Sequence, residues 1–471
     1  MQYDRPMKRG CKCLECPLGP NGAQAVPVLP ELRRTDTLLM GDYPGPTDVE
    51  RGIPLSHLDW RELENSLDTT RVARVRYSLS NAVLCSPGKG PLKDLELKLK
   101  AADKLTPTEC CAPQAAWVVR QFPRVIFLDA RGFRSVTGSR LGTKALRGSP
   151  IYLKDGVPQV TEPFGGSTPE YDQQAMVTFH PRDVQRSQEN RWVFARDLGR
   201  ARRFFNDTLQ FKVPPVNHLP VVPEVFAQLL GESRPQDGWW SDDVETDRKG
   251  SPMLALLRCI GVTRGDDAGD RWSAVLPLRS LDGIPFWGEA NLMALAYATE
   301  AGFLRDDDTT IPMALRLDAA RTNAWRSHQL DRWQEQVVAR VDRSERPARW
   351  LPALQALAEA FQDRRLWVGH NAGAYDRQVY EQEPSIACAP ANRADTILYH
   401  RRVFPRLAHS LDLVGSTLTD VHGWKADADG TKLAFGAHTD LALWQYNALD
   451  TIVVSRIWPV LRQLQDQPPQ S

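Results

Sequence analysis

Ser241-Asp-Asp-Val-Glu-Thr-Asp247 decides how the second half of this chain is read. It follows the apolar pair Trp239-Trp240, and the period-two alternation of a strand sets Asp243 and Glu245 side by side on one face. Two neighbouring carboxylates repel unless a cation lies between them, so the pair makes sense with metal bound. Met253 to Val262 and residues 272–278 read as the next two strands of the same sheet. Two later stretches extend the pattern. Val368-Gly-His-Asn-Ala-Gly-Ala-Tyr-Asp376 ends a strand at a small-residue turn and places Asp376 at a helix start. In Tyr446-Asn-Ala-Leu-Asp450, Tyr446 and Asp450 are four apart and share a helix face. Carboxylates gathered without His or Cys suit hard cations such as magnesium or manganese.

In this order the three stretches resemble the DEDD superfamily of 3′–5′ exonucleases, in the subclass with a tyrosine in its third motif. The proofreading domain of A-family DNA polymerases is the nearest likeness. The resemblance implies a ribonuclease-H-like α/β exonuclease domain over 226–471. It further implies two Mg2+ or Mn2+ ions held by Asp243, Glu245 and Asp450, with Asp376 ligating directly or through water. Tyr446 would orient the attacking water. DNA, as a single strand or frayed 3′ end, would be the partner. Between Asn371 and Asp376 the spacing is one residue longer than in many members. Arg393-Ala-Asp395-Thr and His409-Ser-Leu-Asp-Leu-Val resemble the strand and helix that follow the second motif. The chain ends soon after Asp450 and leaves no room for a polymerase, so a separately encoded DNA polymerase is the expected partner. A free-standing repair nuclease and a non-catalytic replisome adaptor are the alternatives.

The first half alternates strand and helix signals. Thr37–Gly41, Val83-Leu84, residues 125–128 and residues 175–179 are strand candidates, and Arg191 to Asn206 has helical apolar spacing. Arg196, Arg200, Arg202 and Arg203 on that helix form either a solvated face or a phosphate-contacting one. Six of the eight cysteines (Cys11, Cys13, Cys16, Cys85, Cys110 and Cys111) fall in the first quarter of the chain. Such clustering without an export signal points to a metal or cluster site rather than disulfides.

Cys13-Leu-Glu-Cys16, the Gly41–Gly45 loop running on to Leu55, Ser80-Asn81, Cys85, Cys111 and Phe179-His180-Pro181 together resemble family 4 uracil-DNA glycosylases. This implies a three-layer α/β domain over 1–209 with a [4Fe-4S] cluster on Cys13, Cys16, Cys85 and Cys111. Cys11 and Cys110 are spare neighbours, and zinc is the rival occupant. A base pocket would be built from Tyr43, Asp48, Leu55, Asn81 and His180, Asn81 reading an extruded base. The sequence departs from that pattern at several points. Leu55 stands where an aromatic platform is expected, Tyr43 replaces a small residue, and Arg182 follows His-Pro in place of Ser. Asp42 and Asp48 are shorter than the expected glutamates. A base-excision enzyme with active uracil removal is therefore an alternative to a DNA-binding scaffold.

Between the halves, Val213 to Pro223 reads as an extended proline-rich linker within 210–225. Residues 287–345 are charged and helix-forming and read as an insertion; the tail from Asp466 reads as frayed. Charged residues are 25% and net charge is +1, so nucleic-acid contact would come from local basic clusters, not a global field. No run of eighteen apolar residues and no signal-like N-terminus appear, which implies a cytoplasmic protein without membrane contact.

Overall fold

The computed structural model describes residues 4–23, 25–56, 77–88, 91–139, 142–159, 170–184, 188–207, 216–232, 238–247, 255–305, 313–373, 375–421 and 439–466. The fold is mixed α/β, with two six-stranded mixed sheets. The chain splits into two compact units between Phe211 and Lys212, and Asp420 and Val421 group with the first.

The first unit is built on strands β1 (Thr37–Gly41), β2 (Ser78–Asn81), β3 (Arg124–Leu128), β4 (Pro150–Lys154), β5 (Val157–Gln159) and β6 (Gln173–Thr178). Their order is β2-β1-β3-β6-β4-β5, the first four parallel and the last two antiparallel. The parallel strands read as apolar runs because both faces are covered. Leu39, Leu79, Ile126 and Met176 face the helix Gln188–Phe205 through Phe194, Leu198 and Phe204, while Leu38, Met40, Val125 and Phe127 pack with Val118 and Phe133 on the other side. Tyr43 and His180 lie on the loops that leave the carboxyl ends of β1 and β6, and Asn81 is the last residue of β2. Open parallel sheets place binding sites at such ends.

Two expectations for this unit change. The strand expected at Val83-Leu84 forms just earlier, at Ser78–Asn81, where alternate residues can pair with β1; Val83 and Leu84 are buried beyond its end. Arg200 is no surface cation. It is 1% exposed and donates to the Gly148 carbonyl at 3.0 Å, and burial lowers it to about 10. Beside it Arg147 pairs with Asp197 at 2.8 Å, and the Thr178 hydroxyl donates to Asp197 at 2.9 Å. Gly148 is at φ +66, and a side chain there would strike Arg200 and Asp197. These charges tie the helix to the sheet.

The second unit uses β7 (Val216–His218), β8 (Trp239–Thr246), β9 (Leu257–Asp266), β10 (Gly269–Pro277), β11 (Leu366–Gly369) and β12 (Arg393–Asp395). The order is β12-β11-β8-β9-β10-β7, with β9 antiparallel to β8 and β10 and the other pairings parallel. Proline content disguises the start of this unit: Val216–His218 is an edge strand beside β10, Val221 is buried, and a helix begins at Pro223. Pro at a helix start gives up only an N–H that would have been unpaired. The interval 210–225 is thus no mere linker where described, and residues 210–215 lie outside the described residues. Met253 lies outside them too; the second strand runs Leu257–Asp266, later than expected. So do residues 467–471 of the tail.

Strand β8 separates two environments. Trp240 faces an aromatic core with Trp272 and Trp367, at ring separations of 5.4 and 5.7 Å, covered by the helices Pro223–Glu232 and Leu351–Gln362. Trp239, Ser241 and Asp243 face the helix Asp440–Asp466 instead. That helix is started by Asp318 of the helix Met313–Arg326, which accepts the N–H groups of Asp440 at 2.5 Å and Leu441 at 3.3 Å. A carboxylate at a helix N-terminus satisfies otherwise orphaned donors. The stretch 287–345 therefore supports the helix that carries Tyr446 and Asp450.

Candidate metal centre

Asp243, Glu245 and Asp450 each offer a carboxylate oxygen, and the three oxygens lie within 4.8 Å of one another. Strand alternation presents the first two and the C-terminal helix delivers the third. The donor set fits a hard divalent cation, being all oxygen and anionic.

The approach of helix to sheet follows from a stripe of small polar residues. Asn447, Thr451 and Ser455, spaced four apart, lie over Gly261, Thr263 and Gly265 of β9. The Thr451 and Thr263 hydroxyls are 2.7 Å apart, Ser241 donates to the Thr451 carbonyl at 2.7 Å, and Trp239 Nε1 donates to Ser455 Oγ at 3.1 Å. A Cβ at Gly261 would collide with the Asn447 amide, and one at Gly265 with the Ser455 hydroxyl. Glycine at these two positions lets backbone and helix meet closely. Gly261 is the cross-strand neighbour of Asp243. There Asn447 donates its Nδ2 to Asp243 Oδ2 at 2.8 Å. Its own Oδ1 is buried with no partner among the described residues. An unmet buried acceptor costs ~1–3 kcal/mol.

Tyr446 is 8% exposed. Burial, and then the nearby charges of Asp450, Glu245 and Asp243, push its phenol far above the ordinary value, so it keeps its proton. The hydroxyl also hydrogen-bonds to Asp450. Asp376 stands outside the 4.8 Å group. It begins the helix Asp376–Gln382, and burial, then the neighbouring Asp242, push it up to about 8 against the pull of Arg393. Asp242 points to the opposite side of β8 from Asp243 and is fully buried, paired with Arg393 Nη2 at 2.9 and 3.0 Å. Tyr375 OH meets Thr246 Oγ1 at 2.7 Å and ties the second motif to the end of β8. Sequence reading passed over Asn447, Gly261 and the Asp242–Arg393 pair. The four-residue spacing of Asn447, Thr451 and Ser455 among buried residues of the helix was the available signal.

No family model and no curated protein matches the chain. Among solved structures, the apo form of a nuclease is 12% identical and has a TM-score of 0.29, covering 54% of this chain and 83% of its own. The Nibbler EXO domain of Aedes aegypti is 11% identical at a TM-score of 0.28, covering 53% and 89%. At such scores the likeness carries no weight.

In the first unit, Cys11, Cys13, Cys16, Cys85, Cys110 and Cys111 are buried together with Leu18, Val83 and Leu92. Thiol hydrogen bonds link Cys11 to Cys111 and Cys16 to Cys110. The bond from Cys110 lowers Cys16 to about 7, whereas burial raises Cys13 to about 11 and Cys85 to about 12. Among the described residues no three of the sulfurs come within 4.8 Å of one another. A tetrahedral zinc would hold them ~3.8 Å apart, given Zn–S bonds of about 2.3 Å.

Of the base-pocket residues, Asn81 is 1% exposed and both its amide atoms lack partners among the described residues. His180 Nδ1 accepts the Arg182 N–H at 3.2 Å, which leaves the proton on the buried Nε2. Burial, with Arg182 adding to it, lowers His180 to about 3 and keeps it neutral. Leu55 is buried at φ +50, and a side chain at Gly41 would meet both Leu55 and Asn81. Tyr43 lies under the Arg182 guanidinium, 5.1 Å from the ring centre. Asp48 serves its own loop, accepting from Ser56 N and Oγ at 2.6 and 2.7 Å and from Gly45 N at 2.9 Å. Among the described residues no helix is long and apolar enough to cross a membrane.

Proposed function

We propose that the second unit is a metal-dependent nuclease that removes nucleotides from 3′ ends of DNA. The observation that carries this reading is the convergence of Asp243, Glu245 and Asp450 from a strand and a distant helix, with a protonated Tyr446 beside them. Magnesium or manganese ions bound to these carboxylates would supply an activated water and offset charge in an in-line displacement at phosphorus. Asp243 and Glu245 orient their oxygens from one strand face, and Asp450 closes the site from the helix. Asp376, close enough to feel the charge of Asp450, would take part directly or through an intervening water. The Tyr446 hydroxyl would orient the attacking water as a hydrogen-bonding group rather than as a base.

In this reading the first unit is a glycosylase-like DNA-binding module with a [4Fe-4S] cluster on Cys13, Cys16, Cys85 and Cys111. Zinc is the rival occupant, since the same thiolates would also serve a structural zinc. The amide edge of Asn81, without a partner among the described residues, and the Nε2–H of His180 favour a second reading, in which this unit also engages an extruded base. A separately encoded DNA polymerase is the proposed partner.

Single-stranded DNA labelled at its 5′ end gives a descending ladder with magnesium if the reading holds, and Asp243→Ala and Asp450→Ala remove it. Full-length substrate with the native protein at micromolar concentration refutes the assignment. A uracil-containing strand treated with the Asp243→Ala/Asp450→Ala protein and then alkali tests excision; cleavage supports it. Brown protein with stoichiometric iron supports the cluster, and colourless protein with zinc overturns it.

A further inference from the structure

We propose that Asn447 is a positioning residue of the metal centre, holding the Asp243 carboxylate in the orientation a divalent cation needs. The inference rests on the metal-dependent reading above and adds to it a residue that touches neither substrate nor cation.

Asn447 is fully buried, and among the described residues its side chain donates one hydrogen bond, to Asp243 Oδ2 at 2.8 Å. The amide orientation follows from charge, because the reverse would set its oxygen against an anionic carboxylate. Its two companions on the helix behave differently. Thr451 and Ser455 bond to the sheet through Thr263 and Trp239, which is sufficient for packing. Asn447 alone reaches a candidate ligand, and it does so while leaving Oδ1 buried without a partner among the described residues. An apolar side chain of the same size would avoid that orphan, so packing stability does not account for an amide here.

Chemistry does. Three carboxylates within 4.8 Å repel one another, so a group that fixes the orientation of one of them helps to keep the cluster assembled. A neutral N–H donor fixes the orientation of the Asp243 carboxylate, and it brings no positive charge to compete for the site. Arginine or lysine there would neutralise the ligand. Gly261 is part of the same device, since any side chain at that position would push the amide off Asp243. Groups that orient metal ligands in this way typically change metal affinity 10–100-fold when removed.

Asn447→Leu is the decisive variant, because affinity and stability should move in opposite directions. Manganese binding to the full-length metal-free protein, followed by calorimetry or by the EPR signal of free Mn2+, should weaken 10–100-fold. The metal-free thermal midpoint should stay level or rise. Nuclease activity should return to within a few-fold at saturating manganese. Asn447→Ala provides a second test if the leucine variant does not fold, with the same weakening expected. Wild-type manganese affinity in both variants, with Asp450→Asn weakened, overturns the positioning role alone. Equal binding by wild type and Asp450→Asn overturns the metal centre itself, and the positioning role with it.

Discussion

Replacing Asp450 by Asn should make the second unit more stable without metal and less stable with it. Asp450 stands within 4.8 Å of both Asp243 and Glu245. At that separation, two unit charges repel by about 1 kcal/mol per pair even at the dielectric of water. Removing both repulsions therefore gains ~2 kcal/mol. For a unit of this size that raises the thermal midpoint by about 4–8 °C in EDTA. Asn keeps an acceptor for the Tyr446 hydroxyl, so the neighbouring hydrogen bond survives. Manganese reverses the order. At a hundred times its dissociation constant, a ligand stabilises the native state by about 2.7 kcal/mol, and the variant forfeits most of that. Thermal melts of wild type and Asp450→Asn, each in EDTA and in manganese, should cross. A variant that melts below wild type in EDTA would refute the reasoning, because the carboxylates would then not be held in mutual repulsion.

Tyr446→Phe should slow DNA hydrolysis by about 100-fold, the scale of misplacing one reactant, while manganese binding is unchanged; a titration of metal against turnover separates the two effects. Arg393→Met leaves Asp242 buried and unpaired and should cost about 3–5 kcal/mol, read as a fall in the urea midpoint, whereas adding Asp242→Asn should recover much of it. His400 is fully buried, and burial, with help from His409 and His370, lowers it to about 3. Its folded value lies below its unfolded value near 6.5, so the unfolded state binds the extra proton between these limits. Stability is full above about pH 6.5 and falls as pH drops towards 3, by at most ~1.4 kcal/mol per pH unit from this group. Urea midpoints across that range should show the fall, and His400→Leu should flatten it.

Local pattern made much of this legible. Period-two alternation exposed β8 and the shared face of Asp243 and Glu245, because a half-buried strand end leaves its signature in neighbouring residues. The four-residue interval between Tyr446 and Asp450 needed only helix geometry. Val216–His218 was hidden because an edge strand tolerates the prolines that surround it, and the same prolines suggest a linker. Arg200 was misread for a related reason. One of four arginines on an amphipathic helix looks like part of a surface cluster until tertiary structure supplies Asp197 and a backbone carbonyl to receive it. Asp376 shows the limit most plainly, since helix position says where its Cα lies but not that Asp242 and Arg393 wait on that side of the sheet.

The same geometry explains why the acids are spread so far along the chain. A cluster of like charges cannot hold itself together, so rigid apolar neighbours must impose it from outside. The tryptophan core behind β8 fixes the strand, and Gly261 and Gly265 bring the helix down onto it at hydrogen-bond range. Asp318, from a stretch with no motif of its own, sets where that helix begins and hence the height of Asp450. Loosening this frame would let the carboxylates separate before any cation arrived. Fold stability and cation affinity are thus coupled through contacts that touch no metal, and Asn447 is where the two demands conflict most directly.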